Sequence, residues 1–320
     1  MRELIIQGND ANQRIDKFLM KYINQAPKGF IYKMLRKKRI KYNNKKAQGN
    51  EILQVGDKIQ LYLSDETIIQ FQQNTLLQLS PVPKTFQVIY EDKNILVCNK
   101  PSGLLTHPDH PNQTNTLLHQ VIYYLYQKQE YIPEKEQGFV PGVCNRLDRN
   151  TSGLIIIGKN LLTLQEINAL LKQQKIHRYY MAIVKGKLYH DGKLTGFYSK
   201  NRNQNKGQVY LKPSKKSKPI ETLYHPLQVG ADCTLLEVQL VTGRTHQIRV
   251  HLSSIDHPIG GDPKYGDQQW NQYLYQQYKV SNQLLHAYKI KFPSTSGHLY
   301  YLSEKEIVSS PPTIFQQIIS

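Results

Sequence analysis

The spacing of apolar residues predicts a small mixed module at the start of the chain. Between residues 15 and 23 the apolar side chains recur every three or four positions, which is typical of a helix with one buried face. A second short helix is predicted over 30–35 by the same spacing. After a Gly-Asp turn, apolar and polar residues alternate over 58–63, as they do in a half-buried strand. We therefore expect residues 1–63 to form a domain of their own.

The pattern changes beyond that module. Residues 64–85 are rich in Gln, Ser and Pro and predict a linker. From residue 86 onward, short apolar runs predict strands and two longer segments predict helices. The strand candidates are 88–90, 95–98, 154–157, 180–184, 235–240 and 248–251, and the helix candidates are 116–128 and 163–174. Many strands with few helices are typical of an α+β fold, so we expect 86–320 to contain a mixed, largely antiparallel sheet.

The charge of the chain points to a polyanionic partner. Lys and Arg number 42 against 24 Asp and Glu, which gives a formal net charge of +18 and favours nucleic acid as the partner. The stretch 28–46 has no acid and contains Arg36, Lys37, Lys38 and Arg39 at the end of the second predicted helix. Positive charge is favourable at a helix end, but this run exceeds what a helix end needs.

A second basic stretch lies over 199–218 and also lacks an acid. Its cations are Lys200, Arg202, Lys206, Lys212, Lys215, Lys216 and Lys218. A hairpin tip in solvent explains this run as well as phosphate contact does. The 22 Tyr residues add rings that could stack on bases, although a Tyr-rich core explains most of them.

The cysteines and the apolar runs exclude several classes of protein. Cys98, Cys144 and Cys233 are far apart and form no C-x-x-C pair, which argues against a zinc ribbon and a disulfide framework. No basic-then-apolar leader begins the sequence, and no apolar run approaches 18 residues. We therefore expect a soluble, cytoplasmic protein without membrane association.

Asp148 is the first candidate for chemistry. It lies in a polar turn between Arg146 and Arg149, directly before the apolar run 154–157 that predicts a buried strand. Neighbouring positive charge favours an ionised carboxylate, and an ionised Asp held by a rigid strand can act as a covalent nucleophile. The alternative is an Asp that accepts hydrogen bonds from amides of its own turn, which is the commoner role of Asp there.

The segment 241–251 supplies a candidate partner for that carboxylate. Taken as a strand, it places Gln247, Arg249 and His251 on one face and His246 and Ile248 on the other. A half-buried guanidinium needs an anionic partner, for which Asp148 is the natural candidate; the alternative is an arginine that reaches solvent at a strand edge. The two histidines fall on opposite faces with no third ligand near, so zinc is not expected.

Tyr180 is the third candidate, because strand alternation places it with Ala182 on one face, where a phenol can stack on a flat base and present a hydroxyl. A core tyrosine is the alternative. Two other motifs are rejected. The stretch from Gly153 to Asn160 has the spacing of a phosphate loop, but it ends in Asn and contains a Leu-Ile-Ile-Ile run that favours a buried strand. No G-x-S-x-G elbow occurs, which disfavours a serine hydrolase.

Taken together, these segments resemble the RluA family of pseudouridine synthases. The resemblance extends over about 88–293, and its most specific motifs are Arg-Leu-Asp-x-x-Thr-Ser-Gly ending at Gly153 and Thr-Gly-Arg-x-His-Gln-Ile-Arg ending at Arg249. It also includes Asn-Lys-Pro-Ser-Gly ending at Gly103 and Gly-Gly-Asp-Pro-Lys-Tyr-Gly ending at Gly266. The N-terminal module resembles the S4 RNA-binding domain, with Arg14-Ile15-Asp16, a basic helix end and Gly56-Asp57. The usual Gly between the basic helix and the next strand is missing.

The family resemblance implies roles for particular residues. Asp148 would be the catalytic aspartate, Arg249 its ion-pair partner and Tyr180 the tyrosine that packs on the target uracil. Arg146 would help to hold the RNA with the uridine flipped out, and Ile248 would contact substrate. The reaction converts uridine to pseudouridine in RNA, without cofactor or metal. The resemblance to S4 assigns RNA binding to the basic residues Arg36, Lys37, Lys38 and Arg39.

One departure and several alternatives accompany this assignment. Many family members have His where this chain has Asn145; we expect activity to survive the change. We expect a monomer that acts on large-subunit ribosomal RNA. The alternatives are an enzyme acting on transfer RNA, a non-catalytic RNA-binding or ribosome-assembly protein, and an unrelated hydrolase, which the missing nucleophile motifs disfavour.

Overall fold

The computed structural model describes residues 1–72, 79–110, 113–201, 206–210, 212–214 and 217–320. The chain divides into two compact units. The first comprises 1–84, 118–142 and 158–166, and the second comprises 85–117, 143–157 and 167–320. The chain passes into the second unit at residue 85, and the two later stretches of the first unit were not predicted.

The described residues contain both helices and strands. The α-helices are α1 (Ile15–Tyr22), α2 (Lys28–Arg36), α3 (Asp65–Phe71), α4 (Leu117–Gln127), α5 (Leu161–Lys172), α6 (Gln247–Ser253), α7 (Gln268–Tyr278) and α8 (Ile314–Ile319). The strands are β1 (Arg2–Ile5), β2 (Ile40–Tyr42), β3 (Lys45–Lys46), β4 (Lys58–Leu61), β5 (Gln87–Glu91), β6 (Ile95–Lys100), β7 (Gly142–Val143), β8 (Ser152–Gly158), β9 (His177–Lys185), β10 (Gly192–Asn201), β11 (Lys206–Tyr210), β12 (Lys218–Val229), β13 (Cys233–Leu240), β14 (Leu285–Lys291) and β15 (Glu306–Val308). No helix in this described part of the chain is long and apolar enough to cross a bilayer.

The first unit has the two helices and the strand that the apolar spacing predicts. Its antiparallel sheet has the order β1-β4-β2-β3. Phe18 of α1, Leu35 of α2 and Ile59 of β4 meet in one buried core. The predicted linker differs from the structure in its first part, because Ser64 caps α3 and Ile68 of that helix is buried in the same core. A single amphipathic turn among many Gln residues gives too short a pattern to reveal such a helix.

The end of α2 explains how the chain turns without the missing glycine. Lys38 adopts the left-handed conformation with φ of 58°. Its amide N donates to Leu35 O at 3.1 Å, and the amide N of Arg39 donates to Met34 O at 3.0 Å. This pair of bonds is the Schellman arrangement, in which the left-handed position is usually Gly. A lysine therefore occupies a position that usually favours Gly, one residue after the helix cap Lys37.

We expect Lys38→Gly to stabilise the first unit by about 1 kcal/mol, because Gly adopts this conformation without the clash of a Cβ. Urea unfolding of the full chain, with hydrogen exchange at the α2 amides, measures the change. Lys37→Gly is the matched control, since it removes the same charge at an ordinary φ of −75°. Equal stabilisation by both substitutions would contradict the explanation.

The second unit is built on one large sheet, and the predicted α+β class is confirmed. The strand order is β11-β10-β12-β13-β9-β14-β8-β6-β5, with β15 paired to β14 and β7 to β8. The pairing of β14 with β8 is parallel, whereas β9 to β13 and β14 is antiparallel. Gly153 lies at the parallel pair with φ of 117°, and a Cβ there would approach Ala287 O to 2.3 Å. Only Gly lets β8 begin this close to β14.

The prediction of a strand over 248–251 is wrong, because these residues belong to helix α6. Residues 247–252 are all buried, so polar and apolar side chains alternate without a solvent-facing side, and the alternation imitates a strand. The polar side chains find partners inside the protein, although His251 Nε2 is buried without one. Gln247 Nε2 donates to Glu221 O at 2.9 Å, and His251 Nδ1 lies 2.8 Å from Thr222 Oγ1. Helical pitch also removes the predicted shared face of Gln247, Arg249 and His251.

The basic stretch over 199–218 begins on a hairpin, formed by β10 and β11. Lys212 and Lys218 are exposed. Arg202, Lys215 and Lys216 lie outside the described residues, as do the side chains of Lys200 and Lys206.

Candidate active site

Asp148 lies in the turn that leads into β8 and is held there from outside the turn. Thr151 N donates to Asp148 O at 3.1 Å, which closes the turn. The ammonium of Lys100 at the end of β6 donates to three carbonyl oxygens, those of Pro101 and Leu104 and, at 2.9 Å, that of Arg149. Lys100 is fully buried, and burial lowers its pKa to about 7 against the opposing effect of Asp148. Its role was not found from the sequence.

The predicted ion pair between Asp148 and Arg249 is present. Arg249 Nη1 donates to Asp148 Oδ2 at 2.8 Å, across 101 positions of the chain. The Asp148 side chain is 22% exposed and that of Arg249 is 6% exposed, so the pair is at the edge of the interior. Asp148 therefore bonds to an arginine and not to amides of its own turn. Arg249 is buried and does not reach solvent.

Arg249 also has a second, more deeply buried partner that the sequence reasoning missed. Its Nε donates to Asp262 Oδ2 at 2.7 Å and its Nη2 to Asp262 Oδ1 at 2.8 Å. The guanidinium lies over the Tyr265 ring, 5.2 Å from its centroid. Asp262 and Tyr265 belong to the Gly-Gly-Asp-Pro-Lys-Tyr-Gly motif used for the family resemblance. The sequence did contain a signal for this second partner. Both Asp148 and Asp262 lie in motifs of the family resemblance, and only Asp148 was assigned to the arginine.

Burial and pairing act in opposite directions on these groups. Burial lowers the pKa of Arg249, but hydrogen bonding to Asp262 and the charges of Asp262 and Asp148 outweigh it and raise the pKa. Burial raises the pKa of Asp262, but Arg249 and the amides of Lys264 and Tyr265 lower it overall. The bidentate bond therefore keeps Arg249 charged and fixed, with its remaining nitrogen directed at Asp148.

The arginines that flank Asp148 in sequence do not sandwich its carboxylate. Arg149 Nε donates to Gly103 O at 3.2 Å. Arg146 is exposed and lines the pocket that contains Asp148. The cation bonded to Asp148 comes instead from α6, because side chains at adjacent positions of a turn point in different directions.

Tyr180 and Ile248 line the same pocket as Asp148 and Arg249. Tyr180 comes from β9, where it pairs with Val238, and its side chain is almost fully buried. Burial raises the pKa of Tyr180; Arg178 lowers it and Asp148 raises it further. The phenol is therefore neutral at physiological pH.

Asn145, which replaces the usual His, bonds to β8. Its Nδ2 donates to Leu154 O at 3.2 Å, and its Oδ1 accepts from Ile156 N at 2.7 Å. The amide thus holds the start of the turn against the strand, using both a donor and an acceptor. A neutral His presents the same pair of functions, which agrees with an expectation that the site tolerates Asn here.

His246 is a further pocket residue to which the sequence reasoning gave no role beyond the rejected zinc site. It occupies the N-cap position of α6 in the left-handed conformation, with its Nε2 3.9 Å from Asp148 Oδ2.

The basic residues Arg36, Lys37, Lys38 and Arg39 are in the first unit, where all four side chains are exposed. Within the described residues, no group of three His, Cys, Asp or Glu side chains is placed to hold a metal ion.

Comparison with known proteins agrees on one family. A model described as RNA pseudouridylate synthase matches residues 94–254. An uncharacterized RNA pseudouridine synthase of Mycoplasma capricolum subsp. capricolum is 32% identical over 98% of this chain and 99% of its own length. Ribosomal large subunit pseudouridine synthase D of Buchnera aphidicola subsp. Schizaphis graminum is 33% identical over 88% of this chain and 86% of its own. The solved structure of Human RNA Pseudouridylate Synthase Domain Containing 4 covers 72% of this chain and 90% of its own, at 24% identity and a TM-score of 0.56, and shows the same fold.

Proposed function

Because the chain belongs to the RNA pseudouridylate synthase family, we propose that it isomerises specific uridines of large-subunit ribosomal RNA, with Asp148 as the nucleophile. The family makes it an RNA pseudouridine synthase, an isomerase of the RluA type. The observation that carries the proposed role of Asp148 is its 2.8 Å ion pair with Arg249, in a pocket shared with Tyr180 and Ile248.

The reaction breaks the C1′–N1 bond of uridine, turns the base, and joins C5 to C1′; the C5 proton leaves and N1 gains a proton. An ionised Asp148 can attack C1′, attack C6, or remove a sugar proton. In the described part of the chain, the ionic contacts of Asp148 are all made by Oδ2. Oδ1 is therefore the oxygen that we assign to the reaction.

Tyr180 supports substrate binding more than proton transfer. A neutral phenol presents its ring for stacking on an everted uracil, and a stacked base offsets part of the cost of unstacking, which is a few kcal/mol. The raised pKa of Tyr180 disfavours the phenolate that would take the C5 proton. We assign stacking to Tyr180, contact with the same base to Ile248, and a hold on the distorted RNA to the exposed Arg146.

The substrate class rests on the relatives and on charge. Several similar proteins have names that specify the large ribosomal subunit. The exposed cations at the end of α2 and directly after it form a surface suited to phosphates in an S4-like module; they are Arg36, Lys37, Lys38 and Arg39. We retain a monomer without cofactor as the working prediction.

We expect the charge-removing variant Lys37→Gln/Lys38→Gly/Arg39→Gln to weaken RNA binding. The magnitude of the slope of log K against log salt should fall by about 2–3, because a protein with fewer phosphate contacts releases fewer counterions on binding. Filter binding between 50 and 200 mM salt measures the slope. Lys172→Gln/Lys175→Gln, which changes exposed cations of the second unit, is the control. A similar loss of slope per charge in the control would show that net charge alone is responsible.

The reaction is tested with RNA labelled with tritium at uracil C5, since isomerisation releases that hydrogen. We expect the wild-type protein to release tritium from large-subunit ribosomal RNA. Release only from transfer RNA would change the substrate class, and binding without release from either RNA would indicate a non-catalytic RNA-binding protein. Mapping pseudouridines in cells that lack the gene then identifies the position.

A further inference from the structure

His246 has a backbone conformation that is costly for a side chain of its size. Its φ of 57° and ψ of 20° lie in the left-handed region, which costs a non-Gly residue roughly 1–2 kcal/mol. Its ring is nevertheless directed inward, with the side chain 14% exposed. Strained positions of this kind cluster where a side chain serves binding or catalysis. Lys38 and Lys279 adopt the same conformation, so the argument for a role of His246 rests on the contacts of its ring.

A chain of hydrogen bonds orients the ring. Gly207 N donates to Tyr265 Oη at 2.7 Å, and Tyr265 Oη lies 3.1 Å from His246 Nδ1. The other ring nitrogen, Nε2, faces Asp148 Oδ2 at 3.9 Å. A carboxylate only accepts hydrogen bonds, so the field of Asp148 favours a proton on Nε2. Nδ1 then accepts from the Tyr265 hydroxyl. In this chain the Gly207 amide donates to Tyr265, Tyr265 donates to His246, and His246 presents its N–H to the pocket.

The imidazole is neutral in this environment. Burial lowers the pKa of His246, and Arg249 and Lys264 lower it further, against Asp148 and Asp262, which raise it. A neutral ring with its proton on Nε2 donates a hydrogen bond without transferring the proton. The 3.9 Å separation from Asp148 exceeds a hydrogen bond, so this donor is available to a ligand atom that enters beside the carboxylate.

We propose that His246 donates its Nε2–H to an exocyclic carbonyl oxygen of the everted uracil, and so stabilises the base while its bond to the sugar is broken. This rests on the proposed function. When the C1′–N1 bond breaks, its electron pair passes to uracil, whose negative charge spreads from N1 onto O2 and O4. On the route in which Asp148 attacks C1′, the sugar carbon forms its new bond to the carboxylate oxygen. A fixed donor at either oxygen binds this charged state more strongly than neutral uridine. His246 keeps its proton throughout, so the step needs no further reactant.

The role is tested by pairing variants with altered substrates. His246→Gly removes the ring and fits the left-handed backbone, and His246→Gln keeps an N–H donor. Each is compared with wild type on RNA whose mapped target uridine is replaced by 2-thiouridine or 4-thiouridine, because sulfur is a weak acceptor. Single-turnover rates and filter-binding affinities are measured separately.

We expect His246→Gly to lower the single-turnover rate by about 10²–10³-fold, with RNA affinity unchanged and partial recovery in His246→Gln. One thio substitution should slow wild type by at least about 10-fold and cause no added loss in His246→Gly, which identifies the bonded oxygen. His251→Gln, a buried change on the same helix outside the pocket lining, is the control and should retain the thio effect.

Equal thio penalties in wild type and His246→Gly would overturn the proposal, as would a variant that fails only through weaker RNA binding. Tritium release by wild type together with such a result would leave the synthase function standing and remove only the role of His246. A wild-type protein that releases no tritium from any RNA would remove both.

Discussion

Asp148→Asn will abolish tritium release, lowering the rate by about 10⁴-fold or more, while RNA affinity and stability change little. Asp148 is the proposed nucleophile, so its loss removes the covalent route, and losses of a nucleophile are among the largest seen in enzymes. The fold should tolerate the change, because Arg249 keeps its bidentate bond to Asp262 and the new amide oxygen still accepts from Arg249 Nη1. Single-turnover assays with excess enzyme, together with filter binding, separate the two effects.

A matched control for this variant is Asp267→Asn, which neutralises a different acid of the second unit that is paired with Lys185. It should release tritium at close to the wild-type rate. An Asp148→Asn protein that retains more than about a tenth of wild-type activity would show that another group starts the reaction.

Arg249→Met will destabilise the protein by roughly 3–5 kcal/mol as well as inactivate it, because removal of one partner leaves uncompensated buried charge. The sequence offered only Asp148 as a partner for Arg249, and with that partner alone the main expected effect is on activity. Asp262 changes that expectation, because its side chain is inaccessible to solvent. Urea unfolding measures the loss of stability.

The double variant Arg249→Met/Asp262→Asn separates stability from activity. The Asp262→Asn change removes the unpaired charge, and the amide oxygen that it introduces can still accept from the Lys264 and Tyr265 amides, so part of the stability should return. Activity should not return, because Asp148 still lacks its cation. A double variant no more stable than Arg249→Met would show that Asp262 is not the source of the destabilisation.

The destabilisation in Arg249→Met should also depend on pH. In the wild type, Arg249 helps hold the pKa of Asp262 below its unfolded value, so the ionised carboxylate contributes stability above that value and loses it as the pH falls. In Arg249→Met, burial acts to raise the pKa of Asp262 without the opposing guanidinium, so folding costs stability at high pH and the cost declines on acidification. We expect the deficit relative to wild type to be smaller at about pH 5 than at about pH 7.5.

Local pattern was sufficient wherever a segment has one buried face or a long apolar run. The helix around Phe18, the strand from Ile95 and the fully buried strand after Gly153 all occur where spacing predicts them. The rejected phosphate loop is such a case, since its Leu-Ile-Ile-Ile run is interior strand. The motifs also selected Asp148, Arg249 and Tyr180, all of which line one pocket.

Local pattern failed where burial is uniform or where a partner is distant. Helix α6 is buried on nearly all sides, so its alternation carried no information about period and predicted a strand. The bond from Lys100 to Arg149 O and the contact of His246 with Tyr265 join residues that are not neighbours in sequence. Their side-chain types alone allow many other partners.

Residue identity and short-range periodicity gave the positive charge and were enough to predict the family, the fold class and the carboxylate–guanidinium pair, because each of these predictions depends on patterns within short segments of the chain. Three features required the folded molecule: Arg249 comes from a helix, Asp262 shares it with Asp148, and His246 Nε2 lies 3.9 Å from Asp148 Oδ2 in the same pocket. They depend on which buried polar groups meet across the fold, since a buried charge must find a partner wherever packing supplies one.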